Sequence, residues 1–501
     1  MSAHRSVVRF VLILAASGAL LLPGLPASAV PRYASSTDEG VRVRVLLSVG
    51  DRVPRTGDRG ARFRMVGRPD GLGVLRDPAV GSTLFMSHEL DATVRSRPLP
   101  GEAAVRGSFV SAWRLDGHHV PTSGDVAFDD VYQDRRRVGP LATAANTTPA
   151  FGRFCSGFLA GAAVGFDPPM YLASEEATAP ATFDPRGGQT VAIYDGQAHA
   201  LSSLGFLQRE NAIVQPSQDR RTAIVVLEDV GGSDGQLYLY LGRKDPRARH
   251  PLVRNGLVGG TLFVFAADDP GITTEADVGS GAIGGRWMPI PGADGLDDVA
   301  LEQAADAAGA LGFERPEDGA FPASRPQDLF FATTGGDAGA GNGLGRLYHL
   351  ALDPRTPRGA ATLRLAYDAD RTIGDGGDGP ISPDNLDVVG GHLFVQEDAT
   401  SLGAAALTTL GREAGIWRFE LRHAPLRSRL ASSSATLVVS LAPPGRDGTP
   451  LPGPGLWESS GIVATGRPGE ALFDVMAHAP TTAPGVGTVE DGQLLFLRHR
   501  T

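Results

Sequence analysis

The chain has 501 residues, with 46 Lys plus Arg against 56 Asp plus Glu and a formal net charge of −10. An acid excess with no basic stripe argues against nucleic acid as a partner and suits the binding of cations. With 66 Gly and 37 Pro, the composition argues against a largely helical protein and points to a loop-rich β architecture.

In chain order, the first element is a leader. Arg5 and Arg9 precede the apolar run 10–22, and Ala27-Ser28-Ala29 offers the small residues of a cleavage site. Residues 1–29 therefore read as a signal peptide. The run is too short, and too broken by Pro23 and Pro26, for a stable membrane span. His4-Arg5-Ser6 is not a twin-arginine pair, which favours export of an unfolded chain. Residues 30–501 are then expected to form one extracytoplasmic domain, secreted or periplasmic, and a monomer.

Two kinds of strand alternate along that domain. The first kind is apolar and ends in acidic or polar residues, at 84–89, 170–176, 224–229, 329–334, 393–398 and 472–478. The second alternates apolar with polar residues, at 109–115, 190–194, 236–241, 346–352, 416–421 and 493–497. No pair can bury both its faces alone, so six pairs predict modules packed radially. The expected fold is all-β, a six-bladed β-propeller with long inter-strand insertions. Two stacked β-sandwiches are the alternative. The acid-rich ends of the first strands should gather at one mouth of a central channel. One short helix is expected near 296–312, where Leu301, Ala304, Ala305, Ala308 and Leu311 fall at helical spacing. The Pro/Gly-rich stretch 442–455 reads as a long loop.

Cys155 is the only cysteine, an odd choice for an exported chain, where cysteines normally pair. It is either a packed, inert thiol or a group that does chemistry. A thiolate among many carboxylates suits a transition metal, with harder cations nearby. No Gly-x-Ser-x-Gly elbow, Walker loop or His-Glu-x-x-His run is present, which disfavours serine-nucleophile and nucleotide-triphosphatase mechanisms.

Several segments together resemble the PhoX-type bacterial alkaline phosphatases. Glu314-Arg315-Pro316-Glu317-Asp318-Gly319 is similar to the family's Arg-Pro-Glu signature. Cys155-Ser156-Gly157 with Ser174-Glu175-Glu176 resembles its Cys-x-Gly and Cys-Glu-Glu pair. Ser382-Pro383-Asp384-Asn385-Leu386, the segment 205–210 and Trp457-Glu458-Ser459-Ser460-Gly461-Ile462 resemble further motifs in the same order. The resemblance implies a secreted, metal-dependent hydrolase of phosphate monoesters, acting on a small phosphorylated substrate at a calcium/iron cluster. It implies Cys155 as thiolate ligand to iron, Glu210 and Glu317 as carboxylate ligands, and Arg315 as the grip on phosphate. Glu89, Glu175, Glu176, Asp229, Asp384 and Asp398 become candidates for the calcium-rich part. Phe154, Arg209 and Ser174 depart from the family's usual residues. A non-catalytic, calcium-braced propeller acting as a scaffold is the alternative.

Overall fold

In the computed structural model, the described residues are 32–77, 81–336, 339, 341–400, 403–421, 435–441, 457–478 and 487–500. The leader and the 442–455 stretch lie outside them. Six blades of strands stand around an axis, two of them within one nine-stranded sheet. Their innermost strands are β1 (Pro69–Asp77), β2 (Phe154–Ala160), β3 (Arg209–Val214), β4 (Pro316–Ala320), β5 (Pro383–Val389) and β6 (Trp457–Ala464). Each packs against the next and β6 packs back on β1, so the ring is closed. This is a six-bladed β-propeller, and the sandwich alternative falls.

The strands recognised in the sequence are the second and third of each blade. Gly81–His88 pairs β1 and then Phe109–Leu115, and the other five blades repeat the order. The channel wall is therefore one strand further in than the apolar strands that stood out. The third and fourth blades also join at their outer edges, where Ala282–Pro289 pairs Ala361–Asp368. Closure is made by the chain's two ends. Val41–Ser48 pairs antiparallel with Asp491–His499, Val41 opposite His499, and completes the sixth blade.

The apolar residues form six clusters, one in each gap between neighbouring blades. Met170 and Leu172 meet Val214 and Ile224 between the second and third blades. Phe109 meets Phe154 and Tyr171 between the first and second. Second strands such as Arg221–Glu228 are buried on both faces, as their continuous apolar runs require. Helix α1 (Asp298–Ala307) is shorter than the 296–312 expected. Asp297 accepts the Ala300 N–H and caps its start. Its Leu301 and Ala305 enter the second-to-third-blade cluster. Short helices at Pro251–Arg254, Ala369–Gly374 and Ala404–Leu410 were not anticipated; each carries too few turns to show a period.

Candidate metal centre at the channel mouth

All six innermost strands begin alike. The second residue of each is Asp70, Cys155, Glu210, Glu317, Asp384 or Glu458. Just beyond it, the pairing with the second strand slips in every blade, for example between Pro316 and Gly319 and between Pro383 and Leu386. Such irregularities re-aim side chains, and six of them at one level turn six side chains to one place. The residue after each second strand makes a second ring: Glu89, Glu176, Asp229, Thr334, Asp398 and His478. In five blades its N–H donates to the carbonyl two residues before the inner-ring residue, as from Glu89 to Arg68 and from Thr334 to Arg315 at 3.0 Å. Arg68, Arg153, Arg315 and Ser382 hold a left-handed backbone at that carbonyl position.

The inner ring closes on itself. Cys155 Sγ donates to Asp70 Oδ2 at 3.1 Å. Glu210, Glu317 and Asp384 each bring an oxygen within 4.8 Å of the others, and Glu89, Cys155 and Glu176 do the same with two oxygens and the sulfur. Ser156 Oγ, with one proton to donate, lies in hydrogen-bonding contact with both Glu210 Oε1 and Asn385 Oδ1, tying the second blade to the third and fifth.

The cationic residues stand on the rim. Arg315 donates from Nε to Asp229 Oδ1 at 2.9 Å, and its guanidinium lies 3.1 Å from Glu317. Arg153 bridges Glu89 at 2.8 Å and Glu176 at 2.5 Å, while Arg68 reaches Glu89 at 2.8 Å. His478 sits between Glu458 and Glu490, 3.1 Å from each.

Nine carboxylates in the two rings face three arginines and one histidine, so negative charge is in excess. Burial, then Glu458 and Glu89, pushes Asp70 up to about 8, and burial pushes Glu176 to about 8 as well, with Arg153 opposing and Asp229 adding to it. Burial and then Glu317 raise Glu210 well above the usual range, and burial with Asp229 raises Glu317 likewise. Burial also raises the Cys155 thiol, with Asp70 and Glu210 adding to it. Burial opposes charge on His478, but hydrogen bonds to Glu458 and Glu490 overcome it and lift it to about 10. Such crowding is relieved by cations placed among the carboxylates. The residues fit them: Glu210 Oε2 is buried with no hydrogen-bond partner among the described residues.

Of the residues singled out in the sequence, Cys155, Glu210, Glu317, Asp384, Glu89, Glu176, Asp229 and Asp398 all lie in the two rings, with Arg315 beside them. Cys155 is therefore among acids, not in apolar packing. Glu175 does not join them. It alternates to the opposite face, where its carboxylate accepts the N–H groups of Gly152, Phe183 and Gln189. Arg209 likewise points away, donating to Thr190 Oγ1 and the Gly205 carbonyl. Sequence reasoning gave no site role to Asp70, Glu458, Arg68 or Arg153. The signal was there: an acid or Cys precedes each acid-ended strand by a similar interval, from Asp384 to Asp398 at the shortest and Cys155 to Glu176 at the longest.

Residues 194–419 match the family described as Alkaline phosphatase PhoX. Among solved structures, the chain is similar to Pseudomonas fluorescens PhoX in complex with vanadate, a transition state analogue. The TM-score is 0.63 at 16% identity, covering 93% of this chain and 96% of that one. A luciferin-regenerating enzyme also matches, with a TM-score of 0.32 at 12% identity over 86% of this chain and 92% of that one. No curated protein matches the sequence. Residues 194–419 thus match the PhoX alkaline phosphatase family, and the propeller that carries them shares its fold with the solved PhoX structure.

Proposed function

We propose that the chain hydrolyses phosphate monoesters at the mouth formed by the two rings, with Arg315 gripping the phosphate and cations held by Cys155 and the ring carboxylates. The observation that carries this reading is the arginine-and-carboxylate pairing at one spot. Asp229 fixes the Arg315 guanidinium beside Glu317, whose neighbours Glu210 and Asp384 form an all-oxygen group. A fixed planar fork matches a phosphate oxygen pair. The side chain of Arg315 is 30% exposed, so its free edge is open to a ligand.

The all-oxygen group of Glu210, Glu317 and Asp384 suits calcium. Cys155, with Glu89 and Glu176, offers a softer donor and suits iron. Bound cations would supply charge neutralisation for the phosphoryl oxygens and an acidified water. The chain's own part is positional. Ser156 holds Glu210 and Asn385, and Asp229 holds Arg315. His478, with its proton kept by Glu458 and Glu490, adds positive charge to the rim. A phosphate ester approaching nine carboxylates without cations would be repelled, so activity depends on metal.

An extracytoplasmic, monomeric enzyme released from its 1–29 leader completes the proposal, on the sequence features described above. The test is hydrolysis of a chromogenic phosphate ester by purified protein, with and without calcium and iron. Hydrolysis lost in Cys155→Ala and in Arg315→Ala, at nearly unchanged Tm, supports the enzyme. No hydrolysis with any metal, while calcium still raises Tm, supports a scaffold instead.

A further inference from the structure

Arg315 has a counterpart at the same place on another blade. The residue two before the inner ring is Arg68, Arg153, Gln208, Arg315 or Ser382 in the first five blades. Its carbonyl accepts from the outer-ring residue of its own blade, at 2.9 Å from Glu176 to Arg153 and at 3.0 Å from Thr334 to Arg315. Arg153 and Arg315 both hold a left-handed backbone there, with φ of 41° and 57°. Residues other than glycine seldom adopt it, and they keep it only where the surrounding structure imposes it. Arg153 on the second blade and Arg315 on the fourth are therefore structural equivalents.

The two side chains are also held alike. Arg315 donates from Nε and Nη2 to Asp229, and Nη2 lies 3.1 Å from Glu317. Arg153 donates from Nε and Nη2 to Glu176 Oε2, and Nη2 lies 2.8 Å from Glu89. In both, Nη1 makes no hydrogen bond to any described residue. Their side chains are 38% exposed for Arg153 and 30% for Arg315. Arg68 differs: its side chain is only 16% exposed, and its Nε is buried.

The equivalent arginines share no carboxylate. Arg153 touches Glu89 and Glu176 of the sulfur-containing group, whereas Arg315 touches Glu317 of the all-oxygen group. At the equivalent position on the blade between them stands neutral Gln208, whose Nε2 donates to Glu176 Oε1 at 3.4 Å. The mouth thus presents two separate, oriented guanidinium edges, each backed by its own carboxylates. Such an edge matches an oxyanion.

We propose that Arg153 is a specificity-determining residue that holds a second phosphate of the substrate while Arg315 holds the one being hydrolysed. This rests on the phosphatase reading above and narrows its substrate class to small esters that carry two phosphate groups. A single phosphate engages the Arg315 side alone. A second one, on a scaffold long enough to reach, gains the unspent Nη1 hydrogens of Arg153.

The test uses purified protein loaded with calcium and iron, with metal content measured for every variant. Calorimetry compares α,ω-alkane bisphosphonates of increasing length with the matching alkyl phosphonates, which requires no turnover. At the best-fitting length the bisphosphonate should bind at least about tenfold tighter, the gain of one charge-assisted hydrogen-bonded contact. Arg153→Ala should bring that ratio down to the statistical advantage of two equivalent ends, and Arg153→Lys should keep an intermediate ratio. If Arg153→Ala loads less metal, Arg153→Gln, whose amide can still donate to Glu176, gives the same reading. The ratio of kcat/KM for alkanediol bisphosphates over hydroxyalkyl monophosphates should change in the same sense. Equal affinity at every length, or a ratio that the Arg153 variants leave unchanged, would overturn the proposal. So would an equal loss for both ligands in Arg153→Ala, which puts both arginines on one phosphate. The expected binding ratio without any hydrolysis would sink the phosphatase reading and keep the second anion site; hydrolysis without the ratio would do the reverse.

Discussion

Arg315 and Asp229 form a two-pronged ion pair, Nε to Oδ1 at 2.9 Å and the terminal nitrogen to Oδ2 at 3.2 Å, across the end of the third blade. Asp229 lies in the outer ring and Arg315 just before β4, so the pair spans two blades. It orients the guanidinium before any ligand arrives. Arg315→Ala should lower turnover of a phosphate ester by about 10²–10³, the loss typical of a positioned charge donor at a transition state. Arg315→Lys should recover little, since a point charge does not reproduce the fork. Steady-state kinetics with Tm measured in parallel checks this.

Glu210 is a crowded carboxylate, with Glu317, Glu176 and Asp70 all raising it after burial. Glu210→Gln removes charge at nearly constant shape. Metal-free protein should gain stability by this change, while metal-loaded protein should lose its calcium-dependent rise in Tm. A chelator-versus-calcium thermal scan of both proteins reads the crossing directly.

The pH dependence of metal-free protein follows from the raised acids. Asp70 and Glu176 titrate near 8 in the fold and near 4 when unfolded. Between those values the native state binds more protons, so stability falls as pH rises from about 4 to 8. His478, lifted to about 10, acts in the same direction: its contribution is full below about 6.5 and is lost as pH rises through 10. Denaturant midpoints should therefore drop with pH in chelator, and calcium should flatten or reverse the slope. A midpoint that rises with pH in chelator contradicts this assignment.

Glu175 and Glu176 are adjacent and should behave oppositely. Glu175→Ala strands three buried N–H groups, at a cost of about 3 kcal/mol or more, with metal binding unchanged. Glu176→Ala should weaken metal binding and relieve repulsion in the metal-free state. Paired urea titrations and metal analysis separate the two.

The second and third strands of every blade were legible because they are apolar or alternate cleanly, as at Gly81–His88 and Phe109–Leu115. The innermost strands were not. Pro316-Glu317-Asp318-Gly319 and Trp457-Glu458-Ser459-Ser460 carry Pro, Gly and polar residues at slipped pairing, so they read as loops or as isolated motifs. Their place in the channel wall depends on closure of the ring, which no local pattern encodes. Cys155, Glu210, Glu317 and Arg315 stood out through family motifs. Asp70 has only Pro69 and Gly71 around it and no such motif, so its contact with Cys155 was invisible. Which of Glu175 and Glu176 faces the channel was a question of strand parity, decided by a register the sequence does not state.

The most direct test is the rate of phosphate ester hydrolysis by protein stripped of metal and then reloaded, first with calcium and then with calcium and iron. The account predicts no turnover in the stripped protein, recovery on reloading, and no recovery in Glu210→Gln. Turnover that survives complete stripping, or that Glu210→Gln leaves intact, would contradict it.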